Sequence, residues 1–156
     1  MHNYFFYETE IGGITIFENG GKIIKLYFSK SCPNEANAKL NESSLLKEAY
    51  RQLKAYLNGE LREFSLPLSL DGTKFQMDVW KALCDIPYGK TVSYKDIAIA
   101  VNNPKAYRAV GNANNKNPIS IIIPCHRVIA SNGKLAGYGA GISIKKKLLR
   151  LEGKLI

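Results

Sequence analysis

The sequence predicts an α+β protein: a small N-terminal domain built on an antiparallel sheet with one helix, then a mainly helical C-terminal domain containing a helix-turn-helix. Three observations point there. Runs of Tyr, Phe and Ile separated by Gly-rich turns fill the first stretch, helical periodicity dominates after Gly72, and the charge changes at the same place. Residues 1–70 hold eight Lys/Arg and eight Asp/Glu, whereas residues 71–156 hold fourteen against five, so the whole net charge of +9 lies in the second stretch. The expected domains are therefore 1–70 and 71–156.

Residues 3–8, 13–18 and 22–28 read as strands, with Gly12-Gly13 and Asn19-Gly20-Gly21 as the turns between them. Residues 29–42 are polar and read as irregular. Leu45, Leu46, Ala49, Tyr50, Leu53, Tyr56 and Leu57 then recur at helical spacing, and Asn58-Gly59 supplies a stop. Pro67 and Asp71-Gly72 mark a link. Beyond it, Thr73-Lys74-Phe75-Gln76 has capping-box spacing and opens a helix with Val79, Trp80 and Leu83 on one face. Pro87-Tyr88-Gly89-Lys90 is a turn. Ser93 is expected to cap a short helix carrying Ile97, Ala98 and Val101, and Asn102-Asn103-Pro104 breaks it. A further helix is expected from about Lys105 to Ala113. Ile119 to Ile123, between two prolines, reads as a short buried strand or extended segment. Ser143 is expected to cap a last helix with Leu148, Leu149 and Leu151.

Composition narrows the function classes. With 46% apolar and 22% charged residues, the chain has the make-up of a soluble globular protein. No run of eighteen apolar residues could span a membrane, and the N-terminus shows no signal-peptide pattern. The chain therefore reads as cytoplasmic, or nuclear in a eukaryotic source. Cys32, Cys84 and Cys125 are odd in number and widely spaced, which argues against a disulfide framework. A closed four-ligand zinc site would need nearly all of these cysteines together with His2 and His126, so no metal is expected. No dinucleotide or phosphate-loop signature is present, so no cofactor is expected either.

Two constellations carry chemistry. The helices around Asn102-Asn103-Pro104 have the length and spacing of a helix-turn-helix, whose second helix presents Lys105, Tyr107 and Arg108 near its start, where such helices contact DNA. An ordinary helical hairpin is the alternative; the positive half tips the balance toward a polyanionic partner. The second constellation is Pro124-Cys125-His126-Arg127-Val128. Cationic neighbours can lower a thiol from a pKa near ~8.5 to roughly 3.5–7.5, which places Cys125 for thiolate formation. Adjacent side chains tend to diverge, so a relay through water suits Cys125 and His126 better than direct contact. The alternative for Cys125 is that of a buried, inert small hydrophobe.

Residues 75–153 resemble the C-terminal domain of the O6-alkylguanine-DNA alkyltransferase family. The resemblance runs through Phe75-Gln76, Val79-Trp80, Ile86-Pro87-Tyr88-Gly89-Lys90, Val92-Ser93-Tyr94, Asn103-Pro104-Lys105-Ala106 and Arg108-Ala109-Val110-Gly111. It continues with Asn117-Pro118, Ile123 to Ile129, Gly133, Gly137-Tyr138, Gly141, Lys145, Leu148-Leu149 and Glu152-Gly153. Residues 1–70 are similar to the family's variable N-terminal domain only in length and element order.

The resemblance implies repair of double-stranded alkylated DNA, with O6-methylguanine as substrate and O4-methylthymine as a candidate second one, by irreversible transfer to Cys125 after base flipping. It implies one turnover per chain, acting as a monomer without an obligate protein partner. Cys125 would be the acceptor, and His126 and Glu152 would complete a Cys–water–His–Glu relay. Asn117 would be the hinge between recognition helix and active-site turn. Arg108 would fill the gap left by the flipped nucleotide, and Tyr94 would donate to guanine N3. Lys145 and the loop residue Tyr138 would line the pocket, and the Val128 carbonyl and Gly139 N–H would read the base. Two departures from the family pattern stand out. Ala140 replaces a Gly, a methyl group that would narrow the pocket, and the segment 111–116 lacks a Gly often found before the Asn-Pro, where Asn115 can tolerate left-handed backbone. Two other classes compete: a homologue that binds damage without reacting, which would lack Cys125, and a thiol hydrolase, for which no oxyanion-hole motif is visible.

Overall fold

The computed structural model describes residues 2–28, 37–135, 138 and 141–154, and the chain divides into two compact units, residues 1–70 and 71–156.

In the first unit, β1 (His2–Thr9), β2 (Gly12–Asn19) and β3 (Lys22–Tyr27) form an antiparallel meander. Its turns rely on Gly12, Gly20 and Gly21, all with positive φ, a conformation that costs a side chain dearly. The sheet has a fourth strand that the sequence reading placed in irregular chain. β4 (Ala38–Leu40) pairs parallel with β1 at the edge, giving the order β3-β2-β1-β4. Three residues of mixed polarity carry no period, so such a strand is defined by its neighbour rather than by its own pattern.

Helix α1 (Ser44–Leu57) starts where Ser43 Oγ accepts from the Leu46 N–H, and packs Leu46, Ala49, Leu53, Tyr56 and Leu57 against the sheet. With Tyr4, Tyr7, Ile14, Ile16, Phe17, Ile23 and Leu26 they make the core of this unit. Buried Gln52 ties the returning chain to α1 by accepting from the Ser65 N–H at 2.9 Å. Leu68 then bridges to Ile23 of β3.

The second unit is helical around a minimal two-stranded sheet. α2 (Lys74–Cys84) has the expected capping box, with Thr73 and Gln76 bonding each other's backbone N–H, and buries Val79, Trp80 and Leu83. β5 (Val92–Ser93) runs into α3 (Tyr94–Ala100), where Ser93 and Asp96 form a second capping box. After a break at Asn102, which takes φ 61, α4 spans Tyr107–Asn115. It begins two residues later than expected, because Asn103-Pro104 consumes the chain in a turn closed by the Ala106 N–H on the Asn103 carbonyl. Asn115 therefore ends a helix and is not left-handed.

Two further expectations need correction. Ile119–Ile123 is a tight turn, not a strand: the Ile123 N–H returns to the Ile119 carbonyl at 3.0 Å, and Ile121 takes φ 73. A left-handed β-branched residue is uncommon and costs of order 1–3 kcal/mol, so the surroundings must hold it there. They do, since Ile119, Ile121 and Ile123 are each at most 1% exposed. The last helix, α5 (Ile142–Leu151), is capped by Gly141 with φ 104, and Ser143 lies inside it without a capping bond. Between these elements, β6 (Val128–Ile129) pairs parallel with β5, Val92 opposite Val128 and Ser93 opposite Ile129.

Candidate active site

The β5–β6 pairing decides what meets what. β5 leads directly into Tyr94 and α3, and the 3-10 turn Cys125–Arg127 leads directly into β6, so their parallel pairing ties the segment that enters α3 to the segment that leaves the cysteine turn. Cys125 is 3% exposed. Its turn is pinned by two carboxamides from the end of α4 and the residues after it. Asn117 Nδ2 donates to the Ile123 carbonyl at 2.8 Å while its Oδ1 accepts from the Ile119 N–H at 3.0 Å, and Asn114 Nδ2 reaches the Cys125 carbonyl at 3.4 Å. Trp80 Nε1 donates to the Ala113 carbonyl at 2.9 Å, which fixes α4 to α2. Asn117 thus spans the α4 end and the cysteine turn; Asn114 is a second tether with no sequence signal beyond its burial-neutral identity as an Asn.

Behind the thiol lies a buried charge cluster. His126, fully buried, shares its Nε2 with Glu152 Oε2 at 2.8 Å. A carboxylate only accepts, so Nε2 carries the hydrogen. Glu152 sits at the C-cap of α5, where the helix dipole disfavours a negative charge. Compensation comes from Arg127, whose Nε and Nη2 grip Oε1 and Oε2 at 2.8 and 3.0 Å, and from the Gly89 N–H at 3.2 Å. Arg127 Nη1 also donates to the Ile86 carbonyl at 2.7 Å. The sequence reading treated Arg127 only as a positive neighbour of the cysteine. Its pairing with a carboxylate 25 residues away leaves no trace in local pattern.

Lys145 of α5, with no exposed surface, donates from Nζ to the Val128 carbonyl at 2.6 Å. That oxygen has a second lone pair for another donor. Burial lowers the Lys145 ammonium to about 8, offset in part by the nearby Cys125. Tyr94 and Tyr138 both rise through burial and through the charge Cys125 would carry, which places both phenols within electrostatic reach of the thiol. The Tyr94 ring lies against Gly111 of α4.

Here the structure corrects the expected thiolate. Burial pushes Cys125 up to about 11, outweighing the Asn117 hydrogen bond and the Lys145 charge that pull it down. Burial likewise lowers His126 below its ordinary value despite Glu152, with Arg127 and Lys145 adding to the fall. Both shifts favour the uncharged forms, a thiol and an imidazole.

Lys105 and Arg108 stand apart from this cluster, exposed at the start of α4. The N-cap of that helix, Ala106, offers no side-chain acceptor, so no side-chain cap satisfies its first backbone N–H groups. Gly139 and Ala140 lie outside the described residues, as does Cys32. Among the described residues no group of three or more His, Cys, Asp or Glu could hold a metal, and no helix is long and apolar enough to cross a membrane.

A two-unit α+β chain with a buried thiol in its helical half is the architecture of a known class of DNA-acting methyltransferases. Residues 74–154 match the family model described as 6-O-methylguanine DNA methyltransferase, DNA binding domain, and residues 3–70 match its ribonuclease-like domain. The chain belongs to the 6-O-methylguanine DNA methyltransferase family. The methylated-DNA–protein-cysteine methyltransferase of Methanosarcina acetivorans is 48% identical over 152 residues, covering 96% of this chain and 97% of the relative. The constitutive enzyme of that description from Bacillus subtilis is 46% identical over 158 residues, covering 97% and 96%. Among solved structures, Mycobacterium tuberculosis OGT in complex with DNA superposes with a TM-score of 0.90 at 45% identity, covering 96% of this chain and 92% of that one.

Proposed function

We propose that this chain repairs DNA by moving the methyl group from O6 of guanine onto Sγ of its own Cys125, once per molecule. The observation that carries the proposal is the buried His126–Glu152 pair, 2.8 Å long, adjoining a buried thiol. An alkyl ether carbon is a weak electrophile and needs a thiolate. Cys125 is protonated at rest, so its proton must leave as the reaction begins. His126 is neutral and able to receive it. With Nε2 engaged by Glu152, the proton passes through water to Nδ1, and the carboxylate stabilises the imidazolium that forms. The S–C bond forms as the C–O bond breaks, the electron pair moves onto guanine, and the Tyr94 hydroxyl donates to N3 to steady that charge. The product thioether has no ready leaving group, which supports single turnover.

Residues 71–156 supply DNA binding and transfer. The net charge of +9 resides there, and α3 and α4 form the helix-turn-helix, with Lys105 and Arg108 at a helix start suited to phosphate and groove contacts. Because the target atom lies inside the duplex, the nucleotide is flipped out, and Arg108 takes its place in the stack. Lys145, Tyr138 and the Val128 carbonyl surround the flipped base, and Asn117 couples α4 to the cysteine turn. O4-methylthymine presents the same kind of exocyclic ether and is a second substrate. The protein acts as a monomer without a cofactor, in the cytoplasm or, in a eukaryote, the nucleus. The test is the protein's mass after incubation with excess duplex containing O6-methylguanine. One added methyl group per chain, mapped to Cys125, is expected; an unchanged mass with tight binding, or sustained turnover, would overturn the proposal.

A further inference from the structure

We propose that Arg127 is a positioning residue for the relay: by gripping both oxygens of Glu152 it aims the carboxylate at His126 and keeps His126 a neutral base. The inference rests on the reading of Cys125 as the alkyl acceptor and of His126 as the group that takes its proton.

Four nitrogens among the described residues meet the Glu152 carboxylate. Arg127 Nε and the Gly89 N–H meet Oε1 at 2.8 and 3.2 Å, and His126 Nε2 and Arg127 Nη2 meet Oε2 at 2.8 and 3.0 Å. A two-point guanidinium grip fixes the carboxylate plane in a way that a single ammonium contact does not. The guanidinium cannot swing away, because its Nη1 is bonded to the Ile86 carbonyl at 2.7 Å and its Cζ lies 5.7 Å from the Tyr88 ring centre. The orientation of Glu152 is therefore set by Arg127 and the 86–89 turn, and His126 reads it.

The charges decide the protonation state. His126 faces Glu152 at the end of α5, Lys145 within α5, Arg127 on its own turn and the thiol of Cys125 beside it. A buried carboxylate with an imidazole as its main partner would draw a proton onto that imidazole to neutralise itself. Arg127 already neutralises Glu152, so no such proton is needed. An imidazolium formed in advance has no room for the thiol proton. Arg127 thus keeps the acceptor empty until the thiol gives up its proton, and Glu152 still stabilises the ion once it forms.

The test compares wild type with Arg127→Met, which keeps the length but loses charge and grip, and Arg127→Lys, which restores charge alone. Single-turnover methyl transfer to the protein is followed against pH, alongside affinity for the methylated duplex and the imidazole titration of His126 by NMR. In Arg127→Met, His126 is expected to titrate about one pH unit higher and the acid limb of the rate profile to move with it, lowering transfer at neutral pH by up to about threefold through protonation of His126, with duplex affinity unchanged. Arg127→Lys is expected to fall between. A His126 titration and rate profile that overlay wild type in Arg127→Met would overturn the proposal. Should Arg127→Met fail to fold, Arg127→Lys and the wild-type spectrum decide: an imidazolium in wild type at pH 7, or a Lys variant indistinguishable from it in both readouts, refutes the role. If wild type transfers no methyl yet the titration moves as expected, the alkyl-acceptor reading fails and the positioning role of Arg127 stands.

Discussion

Among the described residues, the buried polar side chains of the first unit are Thr15, Glu18 and Gln52, and those of the second are Asn114, Asn117, His126, Arg127, Lys145 and Glu152. The first set serves the fold. Gln52 ties a returning segment to a helix, Glu18 accepts from Asn3 within the sheet, and the rest of that core is aliphatic and aromatic. The second set joins the cysteine turn to both flanking helices and carries four ionisable groups out of water. Buried ionic clusters are weak sources of stability, because desolvation offsets most of their attraction. Their presence in one unit and not the other marks where chemistry has been favoured over simple packing.

The strongest way to break this contrast is to remove the thiol. Cys125→Ala is expected to abolish methyl transfer while retaining duplex binding, as measured by protein mass and by gel shift, and Cys84→Ala is expected to transfer normally. Residual transfer in Cys125→Ala would move the reactive centre elsewhere.

A paired comparison comes next. Leu53, fully buried in α1, should cost about 2–5 kcal/mol of stability when cut to Ala, yet leave the transfer rate intact below the melting temperature. Glu152→Gln should instead slow transfer, forfeiting part of the roughly 10²–10⁴-fold that a general base contributes, because His126 loses the partner that raises its basicity. Stopped single-turnover assays on both variants separate the two. Equal slowing would erase the distinction between the units.

Stability against pH sharpens it further. Cys125 keeps its proton to about 11 when folded but titrates near its ordinary value of 9.0 when unfolded. Between those values the folded chain holds a proton that the unfolded chain has lost, so stability falls as pH rises from 9 to 11, by about 2–3 kcal/mol. Lys145, lowered to about 8, works in the opposite direction from about 8 upward, so the wild-type curve alone mixes the two. The difference between wild type and Cys125→Ser, measured by denaturant unfolding at each pH, isolates the thiol. A difference that stays flat from 9 to 11 would mean Cys125 is not held in its neutral form.

The smallest effect concerns helix starts. Thr73→Ala should cost about 1 kcal/mol through its lost cap, whereas Ser143→Ala should cost almost nothing, since Ser143 makes no capping bond. Thermal melts of the two variants check this.

Ser143 also illustrates what sequence can and cannot convey. Thr73-x-x-Gln76 was legible as a helix start because both halves of its reciprocal bond lie within four residues, and Ser93 was legible as a cap, though not its bond from Asp96. Ser143 has no such partner, and the true start depends on the backbone of Gly141. The meander of β1 to β3 was legible from its glycine turns, while β4 depends on a strand some 36 residues away. In the site, the residue types of Cys125, His126, Asn117 and Glu152 could be named from motif resemblance. The direction of the Cys125 shift could not, because burial outweighs the adjacent cations and burial is a property of the packed chain. The Arg127–Glu152 contact was hidden for the same reason.

The burial of Cys125 has a consequence for how the protein ages. Peroxide and disulfide attack begin at an accessible thiolate. Cys125 is neither accessible nor ionised at physiological pH, whereas Cys84 is exposed to solvent. Desolvation and Asp85 raise the Cys84 thiol too, so it is its exposure alone that should let oxidative damage reach Cys84 before Cys125 in idle molecules. On the proposed function the reactive sulfur is used once, so the waiting time before a lesion arrives would matter as much as the speed of reaction, and the enclosure that would call for a proton relay also protects the sulfur while it waits.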